Sequence, residues 1–243
     1  MKLVIKIAYK GTSYCGWQVQ PNKPTVQGVL QQAIEAAFGT KITLTGCSRT
    51  DAGVHAREFV AAVEGNLPNL PATAFPLAVN KLLPSDIAIL SADYADGDFH
   101  PRYSAKGKEY VYTIHNSRIN DPFCAETAWE FHRRIDEALA NDLCGEFVGK
   151  QDFAAFMAAG SKIVDTVREI KYFNCRRDGD KVIFTVAADG FLYNMVRIMV
   201  GTVAEMASGT EMPPIKEIIK SKNRALAGTT APAKGLALNK VFY

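Results

Sequence analysis

Residues 41–64 read KITLTGCSRTDAGVHAREFVAAVE, and the way this stretch divides decides the fold. Its two ends, residues 41–47 and 58–64, are rich in β-branched and apolar side chains that suit strands. Between them lies a polar segment in which Gly46, Ala52 and Gly53 let the backbone turn tightly. The stretch is therefore a strand, a loop and a return strand, with Asp51 on the connection. The Asp51 carboxylate, set between Thr50 and a small Ala-Gly pair, can be fixed by neighbouring backbone N–H groups while its outer side stays open to a substrate. Arg49 and Arg57 favour its ionised form. An ordinary Asx turn uses the same residue types, so the loop alone leaves a structural and a chemical reading open.

Outward from the loop, residues 2–9 (KLVIKIAY) read as a strand that ends at Lys10-Gly11. Thr25 is placed to cap a helix in which Val26, Val29, Leu30, Ala33, Ile34, Ala37 and Phe38 keep helical spacing, and Gly39 stands where a left-handed residue closes it. After the proline-rich linker 67–71, Thr73 is expected to cap a helix through residue 83, and residues 86–94 make a fourth strand. The order is β-α-β-β-α-β. The second half repeats it: a strand over 108–116, a helix over 135–144, an irregular stretch over 147–156, strands over 167–176 and 181–188 joined by Arg177-Asp178-Gly179-Asp180, a long helix over 192–207 and a closing strand over 236–242. The expected fold class is α/β (α+β): two tandem ferredoxin-like units, residues 1–104 and 105–243, related by a pseudo-twofold with a central cleft. The inference rests on element order, since no repetition of sequence is visible.

Composition bounds the function. The 243 residues are 48% hydrophobic, enough for ordinary buried cores. No run of about 18 apolar residues occurs, and the N-terminus lacks a small-residue cleavage site, so neither membrane spanning nor secretion is expected. Cysteines at 15, 47, 124, 144 and 175 are odd in number, widely spaced and without a Cys-x-x-Cys pair, which points to reduced thiols in the cytoplasm. The formal charge is only +3, with 9 basic against 8 acidic residues in 1–104 and 19 against 17 in the rest. A nucleic-acid partner would therefore require the positive groups to collect on one face, which a homodimer could double. Histidine and acidic residues show no metal-ligand spacing, and P-loop, dinucleotide and nucleophile-elbow motifs are missing, so no metal and no cofactor are expected.

Two further residues draw attention. Arg197 interrupts the apolar run FLYNMVRIMVGTVAEM, and a buried guanidinium calls for a carboxylate such as Asp51, a structural acid or an escape to the surface. In KEYVYTI the alternation puts Tyr110, Tyr112 and Ile114 on one face, for packing or for stacking on a base. Tyr14 and Trp17 allow the same two readings.

The string SRTDAGVHA (48–56) resembles the signature of the tRNA pseudouridine synthase A family. So do YKGTSYCGWQ (9–18), TVQGVL (25–30), LPSDI (83–87), FHPRYSAKGKEYVYTI (99–114), FLYNMVRIMVG (191–201) and APAKGLAL (231–238), in family order along nearly the whole chain. The resemblance implies a homodimer that isomerises uridine to pseudouridine in the anticodon stem-loop of tRNA, at positions 38, 39 and 40, without cofactor. It implies Asp51 as catalytic nucleophile, Arg197 as partner of the aspartate, Tyr110 as the base-stacking tyrosine, Arg49 as an RNA contact near the target and Leu236 in the base pocket. Lys10 and Gln151 depart from the family pattern, where an aspartate and a histidine are expected. The rival readings are a non-catalytic tRNA-binding or folding protein of the same fold, and an aspartate-dependent hydrolase, which needs a second acid or base beside Asp51.

Overall fold

A computed structural model describes residues 2–161 and 163–243. The chain forms two compact units: one runs to Lys106 and also takes Ala237–Tyr243, and the other is Gly107–Leu236. The first unit contains β1 (Lys2–Tyr9), α1 (Val26–Phe38), β2 (Ile42–Gly46), β3 (His55–Gly65), α2 (Ala74–Val79) and β4 (Ile87–Ala95). The second contains β5 (Gly107–His115), β6 (Trp129–Glu130), α3 (Glu137–Gly145), β7 (Gly149–Asp152), β8 (Val167–Asp178), β9 (Lys181–Ala188), α4 (Met195–Met206) and α5 (Ile215–Ser221). The last strand, β10 (Leu236–Phe242), returns to the first unit.

In the first unit β1 lies antiparallel between β4 and β3, pairing Ile5 with Ala92 on one side and with Ala61 on the other. β2 pairs antiparallel with the far half of β3, Leu44 opposite Val63. That leaves the near half of the same β3 edge open, and β10 fills it in parallel, with Ala237 opposite His55 and Leu238 opposite Ala56. The closing strand, last in sequence order, thus supplies a ladder to a strand edge that β2 leaves open. Ile5, Ile7, Leu30, Ile34 and Phe59 are wholly buried beneath this sheet's helices and connections.

The element order of the first unit is the expected one, and so are the ends of α1. Thr25 has extended dihedrals and its hydroxyl accepts from Gly28 N at 3.3 Å, while Gly39 closes the helix at φ 67°. Thr25→Ala should cost about 1 kcal/mol, read as a lower midpoint in thermal or urea unfolding. Thr73, by contrast, caps nothing. Its own dihedrals are helical, so its side chain cannot turn back to the first turn, and α2 gives way to a 3-10 turn over Asn80–Leu82. Asn80 ends it by exchanging two side-chain bonds with the main chain of Ile89, at 2.9 and 2.8 Å.

In the second unit the strand order is β6-β5-β9-β8-β7, with β6 parallel to β5 and the other neighbours antiparallel. A strand, a helix, two strands and a helix follow one another as expected. The stretch read as irregular holds β7, and β6 and α5 are further additions. β7 is Gly-Lys-Gln-Asp, which has no strand propensity and exists only because β8 offers it a ladder. Phe147, Phe153, Phe156 and Phe184 are wholly buried in this unit. Among the described residues no helix is long and apolar enough to cross a membrane.

Candidate active site

The loop between β2 and β3 is fixed chiefly by main-chain bonds to residues 10–17, a segment the sequence did not mark as structural. Thr50 O accepts from Trp17 N at 3.1 Å, Gly53 N donates to Tyr14 O at 3.3 Å, and Val54 N turns back to Asp51 O at 3.1 Å. Gly53 makes that turn at φ 77°. Two glycines make the clamp possible. A Cβ on Gly11 would lie 2.0 Å from Val54 O, and one on Gly16, itself at φ 87°, would lie 2.5 Å from Thr50 O. Side chains brace the same points: Gly11 N donates to His55 Nδ1 at 2.9 Å, and the hydroxyls of Tyr9 and Thr50 meet at 2.8 Å. Under the clamp, Trp17 stacks on Phe59 with centroids 4.0 Å apart.

Asp51 is thus half-buried on a loop whose neighbours are hydrogen-bonded in place, and Arg49 two residues before it is exposed. Tyr14 and Trp17 are buried structural residues. Tyr14 donates its hydroxyl to Asp86 Oδ1 at 2.7 Å, and burial first, then the Asp86 carboxylate, push its pKa upward and keep it a donor. Tyr9→Phe should destabilise the fold by about 1 kcal/mol, measured by urea unfolding, because Thr50 loses a buried partner.

In the second unit Tyr110, Tyr112 and Ile114 share the buried face of β5, as the alternation required. Tyr110 receives the Phe191 ring edge-on, with centroids 5.2 Å apart. Tyr112 is wholly buried and serves structure: its hydroxyl donates to Pro232 O at 2.7 Å, and Gly235 lies flat against its ring. Those two contacts set the path of the chain into Leu236, which is buried at the start of β10. Upstream, the same segment is laced to α4. Gly228 N donates to Thr202 Oγ1 at 2.9 Å, Thr229 Oγ1 to Glu205 Oε1 at 2.7 Å, and Ala231 N to Arg197 O at 3.1 Å. A Cβ on Gly201 would stand 1.9 Å from Thr229 O, so only glycine permits this approach.

Arg197 belongs to that lacing. Its Nε donates to Ala231 O at 2.7 Å and its Nη1 to Asn194 Oδ1 at 2.8 Å, Asn194 adopting φ 58°. The helix starts at Met195 rather than 192, so Arg197 stands in the first turn and is half-buried, not in the middle of a buried helix. Deep burial therefore does not by itself demand a carboxylate partner. Lys10 is exposed and engages Asp86 O through its backbone N–H, at 2.9 Å, while Gln151 donates to Glu146 O at 3.2 Å. Gln151 thus has a local structural role, whereas Lys10 joins the fold here through its main chain.

The α/β chain thus fixes the Asp51 loop in one unit, and Tyr110, Arg197 and Leu236 in the other, by local contacts. A family model described as tRNA pseudouridine synthase matches residues 5–104 and 143–243, and the chain belongs to that family. It is 43% identical over 244 residues to tRNA pseudouridine synthase A of Moorella thermoacetica, covering 99% of both chains. It is 42% identical over 244 residues to the protein of that name from Clostridium kluyveri, covering 100% of this chain and 99% of the relative. Against tRNA pseudouridine synthase A 2 of Clostridium perfringens the identity is 41% over 242 residues, 98% of each.

Proposed function

We propose that this protein isomerises uridine to pseudouridine in the anticodon stem-loop of tRNA, with Asp51 as the catalytic nucleophile. The observation that carries the reading is the Asp51 loop, a family signature held rigid by the clamp of residues 10–17. In the reaction the bond from ribose C1′ to uracil N1 breaks, the freed base rotates, and C1′ bonds to C5. The hydrogen on C5 leaves to solvent while N1 gains one, so substrate and product are isomers. An ionised carboxylate can open this sequence by attacking C1′, by attacking C6, or by removing the C2′ proton to give a glycal. A paired base is out of reach, so the uridine must be flipped at a cost of a few kcal/mol, part of which Tyr110 recovers by stacking. Arg49 contacts RNA near the target, and Leu236 lines the base pocket. The protein acts as a homodimer in the cytoplasm without cofactor; an odd number of widely spaced cysteines suits a reducing compartment.

Release of tritium from C5-labelled uridine in tRNA tests the reaction directly. A hydrolase or a passive tRNA-binding protein releases none. The partnership of Arg197 with Asp51 is tested by a double-mutant cycle of Arg197→Met and Asp51→Asn. Paired residues should show a coupling of about 0.5–3 kcal/mol in stability, whereas additive losses give Arg197 another role.

A further inference from the structure

A net charge of only +3 means that an RNA-binding face has to be assembled locally; the connection 116–136 in the second unit carries three arginines against four carboxylates, of which Asp121, Glu130 and Asp136 are engaged in internal bonds. The connection from β5 through β6 to α3 exposes Arg118, His132, Arg133 and Arg134 together with two apolar tips, Ile119 at 80% and Phe123 at 95% exposure. Its two limbs are locked side by side by Asn116, a buried amide. Asn116 Nδ2 donates to Phe131 O at 2.8 Å and to Arg133 O at 2.7 Å, and its Oδ1 accepts from Ile135 N at 3.0 Å. The His132 Nδ1 atom lies 3.0 Å from Ser117 O, which brings the residue before Arg118 beside the one before Arg133.

The tip is equally ordered. Asp121 accepts from Phe123 N at 2.9 Å and from the Cys124 thiol at 3.2 Å, which spends its carboxylate internally and lifts Phe123 outward on a 3-10 turn. Arg133 is pinned across the Phe131 ring, 5.2 Å from its centroid, and to Thr210 Oγ1 at 2.9 Å. Arg134, its side chain 69% exposed, meets Glu137 at 3.3 Å, and Arg177 holds the same carboxylate at 3.1 Å, so the Arg134 guanidinium can turn to a phosphate without leaving Glu137 unpaired. This surface is also tied to the candidate site in its own unit. Lys234, two residues before Leu236, donates to Ala125 O at 2.9 Å, and Trp129 meets Tyr112 edge-on at 6.4 Å.

We propose that this loop is a tRNA-binding surface in which Arg118, Arg133 and Arg134 hold backbone phosphates and Phe123 stacks on an unpaired base. Rigid limbs, clustered guanidinium groups and one outward aromatic are the composition that single-stranded or looped RNA requires. The inference rests on the proposed tRNA substrate. It is tested on the full chain by measuring tRNA affinity against salt, in parallel with C5-tritium release at saturating tRNA. Arg118→Ala combined with Arg134→Ala should weaken binding about tenfold or more and lower the salt slope by about 0.7–0.9 per charge removed. Phe123→Ala should weaken binding by about fivefold or more, with Phe123→Trp restoring it. Turnover at saturation should hold in all of them. Unchanged affinity and slope in the double variant overturn the proposal. So does a change of oligomeric mass in Phe123→Ala with tRNA affinity per subunit intact, which would make the loop a contact between copies. A parent chain that binds tRNA yet releases no tritium sinks the enzymatic reading and leaves the surface standing; one that does not bind tRNA sinks both.

Discussion

Asp51→Asn is expected to lower pseudouridine formation by about 10⁴-fold or more while leaving tRNA affinity within about tenfold, or roughly 1.4 kcal/mol. The two effects separate because they rest on different groups. In the proposed reaction the carboxylate performs the covalent or proton-transfer step, and an amide of the same shape is neither a competent nucleophile nor a base. The loop itself is held by Thr50 O, Gly53 N and the Val54-to-Asp51 turn, all main-chain groups that the substitution leaves in place. RNA affinity comes mainly from phosphate contacts elsewhere. Single-turnover assays with purified variant and C5-labelled tRNA, together with filter binding, measure both quantities. Turnover near that of the parent would remove Asp51 from the chemistry.

Gly11→Ala should damage both stability and rate although residue 11 bears no reactive group. The added Cβ would stand 2.0 Å from Val54 O and 2.7 Å from Val54 C, and both are main-chain atoms that cannot swing aside as a flexible side chain would. Ordinary contact requires a shift of more than about 1 Å, either of the clamp or of the Asp51 loop, and overpacking of this kind costs about 1–3 kcal/mol. A misplacement of about 1 Å at the catalytic group lowers kcat by about 10²-fold. Gly97→Ala is the control, since its Cβ would meet nothing within 4 Å. Equal stability and equal kcat for the two variants would show that the clamp does not position Asp51.

Local information in the sequence went far. The ends of α1 are set by Thr25 and Gly39, whose preferences for extended and left-handed backbone belong to the residues themselves. The strand–loop–strand around Asp51, the Tyr110 face of β5 and the limits of β10 also followed from short-range pattern. What the pattern could not supply were features created by distant partners. Gly-Lys-Gln-Asp becomes β7 because β8 lies beside it, and β10 can pair with β3 because β2 covers only half of the β3 edge. The clamp on the Asp51 loop joins Trp17 to Thr50 and Tyr14 to Gly53 through backbone atoms, which carry no sequence signature. Arg197 looked buried because its neighbours are apolar, yet its place in the first turn of α4 leaves it half in solvent. Residue type and spacing determined the α/β elements and marked Asp51 as the candidate reactive group, because both are written in local conformational preference and in one chemical group. Only the tertiary structure decided which edge each strand fills and what holds the aspartate still, because those depend on backbone hydrogen bonds between segments that the chain brings together only when folded.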